Sequence, residues 1–260
     1  MATLVERLAI QALKTFSRKK PLSPQCFQAN FSALKALADQ VTAEDVKLDE
    51  ALANYEKKKS FLRSEAPVTY IEIFENEDIT IGIFVLKPNA RIPLHDHPRM
   101  NGILKVILGS VRVQSYTILP DDLQDRIPDC IKKGVGESGE KIFSRSLKKQ
   151  TIVIAEKLQE AVISSNSGAC VLSPSEKNLH DIRSVDGPAA FLDVLAPPYN
   201  SDNPNDEARE CHYYTEAPKI TSVSEEAKGD GNQVWLLQIP SPSEFKCDTA
   251  TYRGPVINLP

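Results

Sequence analysis

A chain of 260 residues, 41% hydrophobic and 25% charged, can bury one sizeable core, so a single main domain with appendages is expected. Its formal net charge of −4 supplies no field to attract nucleic acid or an anionic membrane surface, and no apolar run reaches the length of a membrane span. The five cysteines, Cys26, Cys130, Cys170, Cys211 and Cys247, are odd in number and form no CxxC pair, which fits a reduced, cytoplasmic protein better than a disulfide scaffold.

Residues 1–66 read as an N-terminal helical segment. In Ala2 to Arg18, Leu4, Val5, Leu8, Ala9, Ala12, Leu13 and Phe16 share a broad face, with Arg7, Gln11, Lys14 and Arg18 on the other. A basic amphipathic helix also resembles a mitochondrial transit peptide, the alternative to a cytoplasmic location. Glu6 interrupts the basic face, and a helix docked on the folded domain is the preferred reading. From Asn30 to Asn54 the spacing stays helical, with Phe31, Leu34, Leu37, Ala38, Val41, Leu48 and Leu52 as the apolar positions. Thr42 and Asp45 mark a helix start within it. These helices are expected to pack outside a β-barrel.

At Pro67 the periodicity changes, and residues 67–260 are read as the β domain. Val68–Glu75 and Ile79–Leu86 are strand-like, separated by the polar turn Asn76–Asp78. The stretch Ile92–Pro98 holds His95 and His97, two of the four histidines in the chain. Two residues apart in an extended strand, their rings aim at one point while Asp96 points away, which makes half of a metal site. Gly102–Gly109 and Val111–Tyr116 read as strand, glycine turn, strand, with the histidine pair entering the first. Residues 118–149 read as an insertion loop. Between Lys132 and Lys149 it carries six basic residues against two acids, and a solvated loop is preferred there over a partner-binding patch.

Strand character returns at Thr151–Ile154 and Gly168–Leu172, and Asn178–Ile182 then supplies His180, the third ligand chosen here. In the core strand Ala189–Tyr199, Phe191, Asp193 and Leu195 share a face, so Asp193 is drawn inward and needs a partner. A metal-bound histidine's free N–H, a substrate ammonium or the backbone would serve. In Cys211-His212-Tyr213-Tyr214, strand alternation places Cys211 with Tyr213 and turns His212 the other way. That argues against a Cys–His nucleophile pair and leaves His212 structural.

Together these stretches resemble a known family. Pro93-Leu94-His95-Asp96-His97-Pro98, Leu104-Lys105-Val106, Gly187–Asp193, Leu195–Tyr199 and Cys211–Tyr214 are similar to the family of cysteamine (2-aminoethanethiol) dioxygenases and plant cysteine oxidases, within the cupin superfamily. The likeness runs from about Val68 to Tyr214. It implies a mainly β fold, a cupin-type antiparallel β-barrel (double-stranded β-helix), with Fe(II) held by His95, His97 and His180. It also implies that Asp193 lies near the substrate, and that Cys211 and Tyr213 match a pair able to form a thioether cross-link in animal members. Arg99 departs from the small residue usual after the HDHP motif. Where the general cupin motif has a glutamate ligand, this chain has Asn101 and Gly102.

The missing glutamate is chemically informative. Three neutral histidines leave a ferrous ion its full charge, which favours an anionic ligand from the substrate, and a coordinating thiol is deprotonated. The resemblance implies addition of O2 to sulfur to give a sulfinic acid. Its substrates are cysteamine, giving hypotaurine, and the N-terminal cysteine of proteins or peptides, whose oxidation marks them for oxygen-dependent degradation. A nicotinamide or flavin is not needed, and the sequence has no P-loop. The expected enzyme is a monomer whose partners are the aminothiol, N-terminal-Cys peptides and O2. Two other readings remain: a non-catalytic metal-binding cupin acting as an interaction module, and a different metal-dependent cupin such as a sugar isomerase.

Overall fold

The computed structural model describes residues 2–17, 22–48, 66–125, 151–199, 209–217 and 232–258. Helix α1 (Leu4–Phe16) opens with a reciprocal cap, in which the Thr3 hydroxyl accepts the Glu6 N–H at 3.2 Å and the Glu6 carboxylate accepts the Thr3 N–H at 3.3 Å. Its apolar stripe, Val5, Leu8, Ala9 and Ala12, is fully buried. Helix α2 (Pro24–Ala38) is capped by Ser23, has proline in its first turn, and packs Phe27 and Phe31 against Phe16.

Helix α2 ends at Ala38, and residues 39–47 interrupt the helical pattern expected from Asn30 to Asn54. Thr42 and Asp45 do pair, Asp45 Oδ2 accepting from the Thr42 N–H at 2.9 Å and its hydroxyl at 2.7 Å, but they close a turn. Burial of Val41, Val46 and Leu48 in the helix–barrel core decides the backbone here over local propensity. Residues 49–54, with Leu52, lie outside the described residues, as do residues 126–149 of the expected insertion, with all its basic side chains and Cys130.

Among the described residues eleven strands form one sheet: β1 (Val68–Glu75), β2 (Thr80–Leu86), β3 (Arg91–Asp96), β4 (Asn101–Ile118), β5 (Ile152–Lys157), β6 (Ala161–Ser164), β7 (Cys170–Leu172), β8 (Leu179–Ala196), β9 (Tyr213–Glu216), β10 (Gln233–Ile239) and β11 (Cys247–Thr251). Its spine is the antiparallel pair of β4 and β8, 18 residues each, matched from Asn101↔Ala196 to Tyr116↔Leu179. The other edge of β8 divides, its C-terminal half pairing β2 and its N-terminal half β3. The other edge of β4 takes β7, β6 and β5 in turn, and β5–β10–β9–β3 close the sheet into a barrel. β11 adds in parallel to β1.

Alternation along the strands separates three cores. The outer face of β1, β2, β8 and β4 (Ile71, Ile81, Ile83, Ile103, Leu192, Val194) packs on the helices. The barrel interior holds Val68, Leu86, Leu104, Val106, Ile182 and Phe191. A third cluster takes one side chain from each of six strands: Leu94, Tyr116, Ala155, Leu179, Tyr214 and Leu236.

The expected strand, glycine turn, strand at Gly102–Tyr116 is instead one continuous strand, and the histidine pair sits on β3 and just beyond its end. Gly109 is a bulge in β4 at φ 64°, flanked by register shifts at Val106/Leu108 and Leu108/Ser110, where the strand passes from β8's C-terminal half to its N-terminal half. Likewise β8 joins two stretches that periodicity reads separately. No helix among the described residues is long and apolar enough to cross a membrane.

A Cβ at Gly109 would lie 2.3 Å from the Pro188 carbonyl oxygen, on backbone already in the left-handed region. Gly109→Ala is therefore expected to lower the unfolding free energy by about 2–3 kcal/mol in a denaturant titration. Asp39, beyond α2, accepts the Ala169 N–H at 2.6 Å and pairs with Lys35 at 2.9 Å, tying the helix to the loop before β7. Burial alone would raise its carboxyl; the Ala169 and Lys35 bonds outweigh that and hold it below the ordinary 3.8. A depressed carboxylate stabilises the fold above its unfolded value and loses that contribution as pH falls through its folded value. Asp39→Ala should thus melt lower than the parent at neutral pH, with the gap narrowing below pH 3.8.

Candidate metal centre

The site is assembled by the register of β3 on β8. Ile92 pairs Ile182, but the next matched pair is His95 with His180, so β3 carries one extra residue at Pro93–Leu94. That bulge turns His95 to the face of His180. His97, one residue past the strand end, stays extended because its N–H donates to Asn178 O at 2.8 Å. The chain then turns through Arg99, whose φ of 56° is left-handed.

The three histidines converge, their ligand nitrogens all within 4.8 Å of one another and each residue buried. Ring centroids lie 4.7–4.9 Å apart, and Nε2 of His97 is 3.0 Å from Nε2 of His180. Two nitrogens about 2.1 Å from one ion and at a right angle would be about 3.0 Å apart, so this pair fits a shared metal. No carboxylate or thiol joins the cluster among the described residues.

Tautomers are set from behind. A carbonyl only accepts, so the Nδ1–H of His95 donates to Pro93 O at 2.8 Å and leaves Nε2 with its lone pair. The Tyr199 hydroxyl donates to Asp96 O and accepts from Nδ1 of His97 at 2.8 Å, with the same result for that ring. Burial lowers the pKa of all three, and mutual proximity pushes His97 and His180 further down. They are neutral imidazoles, the form that ligates a metal.

Asp96, between the two ligands on β3, faces the other way. Its carboxylate accepts from the His212 N–H at 2.7 Å, His212 Nδ1 at 3.1 Å and the Tyr214 hydroxyl at 3.0 Å. Cys211 and Tyr213 lie instead toward Tyr199 and His95. Tyr213 pairs His95 in register, with rings 6.5 Å apart, and the Cys211 thiol hydrogen-bonds with the hydroxyls of Tyr199 and Tyr213. Burial and then the Asp96 charge push that thiol up to about 12, so it stays protonated and is a poor nucleophile at neutral pH.

Asp193 is buried on the interior face of β8, opposite Leu104 and Gly82. The outward nitrogens of His95 and His97 are taken by Pro93 and Tyr199, so Asp193 does not serve those rings. A hydrogen bond from the Val194 backbone holds it, and burial raises its carboxyl to about 7. Its charge reaches Tyr199 and Tyr70. Tyr199, the orienting partner of His97, has no assigned role in the sequence reading. Its signal is a hydroxyl-bearing residue after Pro197-Pro198, three residues beyond the strand that carries His180. A cavity of about 320 Å³ opens onto His180, walled by Leu104, Val113, Ile163 and Leu172, with Ser115 and Cys170 among its polar lining.

A family model described as PCO_ADO matches residues 37–257. Over 267 aligned residues the chain is 37% identical to 2-aminoethanethiol dioxygenase of Mus musculus, covering 99% of this chain and 97% of that one. To 2-aminoethanethiol dioxygenase of Homo sapiens it is 34% identical, with the same coverage. To Plant cysteine oxidase 1 of Arabidopsis thaliana it is 27% identical, covering 98% of this chain and 80% of that one. A closed antiparallel barrel with three histidines aimed at one buried point, and a match extending over most of the sequence, lead to one conclusion: the chain belongs to the PCO_ADO family.

Proposed function

We propose that the protein is a non-haem iron thiol dioxygenase that adds O2 to the sulfur of cysteamine and of N-terminal cysteine residues. The observation that carries this is a buried cluster of three neutral imidazoles without a carboxylate, in a chain whose relatives are named 2-aminoethanethiol dioxygenase and plant cysteine oxidase. The net reaction is RSH + O2 → RSO2H. Sulfur gives up four electrons, O2 takes four, and no external reductant enters. A ferrous ion held by His95, His97 and His180 would supply adjoining positions for a thiolate and for O2.

The chain's own residues supply the rest. Pro93 O and the Tyr199 hydroxyl keep two ligand rings in the metal-binding tautomer. Apolar side chains make up most of the wall of the cavity at His180. The Asp193 carboxylate is the group proposed to receive the substrate ammonium, and Cys211 and Tyr213 form the proposed polar wall beside His95. Cysteamine has four heavy atoms, needing about 120 Å³ at the roughly 30 Å³ that a water takes in the liquid. The cavity of about 320 Å³ also leaves room for the start of a peptide. Oxidation of an N-terminal cysteine would mark its protein for oxygen-dependent degradation.

Oxygen uptake with cysteamine and with an N-terminal-Cys peptide should follow Fe(II) loading and vanish in His180→Ala together with bound iron; zinc-loaded protein as active as iron-loaded protein would overturn the mechanism. For Asp193, ionised above about 7, kcat/KM for cysteamine should rise between about pH 6 and 8 as the carboxylate becomes charged. Asp193→Asn should keep its iron and lose about tenfold or more in kcat/KM at the upper end, with the rise flattened. Unchanged efficiency toward both substrates would remove Asp193 from the reaction.

A further inference from the structure

Asp96, between His95 and His97 in sequence, turns its side chain away from the histidine cluster and hydrogen-bonds to the segment bearing Cys211 and Tyr213. The Asp96 carboxylate takes the His212 N–H, the His212 ring and the Tyr214 hydroxyl; its N–H donates to His212 O at 3.1 Å, and its carbonyl takes the Tyr199 hydroxyl. Asp96 is 6% exposed. Each side-chain bond lands on a residue whose neighbour in sequence, Cys211 or Tyr213, contacts Tyr199 or His95 instead. A grip on His212 and Tyr214 therefore fixes the backbone on which Cys211 and Tyr213 are carried.

We infer that Asp96 is a positioning residue for the metal cavity: it locks the Cys211–Tyr214 arm against the ligand strand and so holds the Cys211 thiol and the Tyr213 phenol on Tyr199 and His95. His95 and His97 are oriented by Pro93 O and Tyr199, and the Tyr199 anchor on Asp96 is a main-chain oxygen that survives side-chain truncation. Truncating Asp96 therefore releases the arm before it disturbs the ligands. The kinetic consequence rests on the dioxygenase reading above; the structural one does not.

The test reads the Cys211 thiol directly. Metal-free protein under nitrogen is treated with iodoacetamide, and the alkylation rates of Cys211 and of Cys170, half-buried and outside the arm, are followed by peptide mass spectrometry. Asp96→Ala should speed Cys211 about tenfold while Cys170 stays within about twofold, and Asp96→Asn, which keeps an acceptor for the His212 N–H, should stay within about threefold of the parent. Tyr214→Phe removes one bond and keeps the ring, so it should give about a threefold rise even if Asp96→Ala does not fold. Fe(II) affinity should stay within about threefold in Asp96→Ala, and oxygen uptake per bound iron should fall about tenfold and recover in Asp96→Asn. Unchanged Cys211 reactivity in Asp96→Ala and Tyr214→Phe would overturn the inference. So would Cys170 and Cys211 rising together, or an Fe(II) affinity lost with Cys211 still protected. An inactive parent enzyme would sink the dioxygenase reading and leave the alkylation result standing.

Discussion

The extra residue that β3 carries against β8 is the constraint on which the centre depends. In an unbroken ladder, Ile92 opposite Ile182 would bring Leu94 opposite His180 and turn His95 toward the cluster around Leu179. With the bulge, Ile92 enters the barrel core, Leu94 enters the six-strand core, and His95 faces His180. Pro93 suits this position, because it has no N–H to leave unpaired in the disrupted ladder. Its carbonyl, freed from the ladder, is the acceptor that fixes the His95 tautomer.

The same alternation sorts charge. Two ligands separated by one residue share a face, so the acid between them is excluded from that face, and the Asp96 charge is spent on His212 and Tyr214 instead. Burial favours neutral imidazoles on the metal side, and the hydrogen bonds behind His95 and His97 select which nitrogen is free. Neutral donors and correct tautomers are thus properties of the folded chain itself.

The histidine pair was legible because a two-residue spacing in a strand has one geometric meaning. His180 was legible because so few histidines compete for the third position. Strands β1 and β2 could be read from local patterning, whereas β4 and β8 could not be seen as continuous. Gly109 looks the same in sequence as a hairpin glycine, and only the pairing of β4 with β8 over its whole length makes it a bulge. The short β6 and the polar β11 carry too little periodicity to stand out, and each exists through its partner strand. The roles of Tyr199 and of Asp96 as anchors depend on contacts spanning more than 100 residues, 102 for Tyr199 to His97 and 118 for Tyr214 to Asp96, which no local pattern encodes.

The placement of Asp193 explains why an aminothiol suits this site better than a plain thiol on the proposed reading. The three ligands bring no charge to balance an ion, and the buried Asp193 carboxyl sits at about 7, near the balance point between its two forms at neutral pH. A thiolate bearing an ammonium enters as a neutral whole, its sulfur meeting the cation and its nitrogen meeting the carboxylate, so each buried charge acquires a partner. A thiol without an amine would neutralise the ion but leave Asp193 to stay protonated or to ionise without a partner. On the proposed reading that charge balance calls for an amine on the thiol, which cysteamine carries and which heads every chain that begins with cysteine.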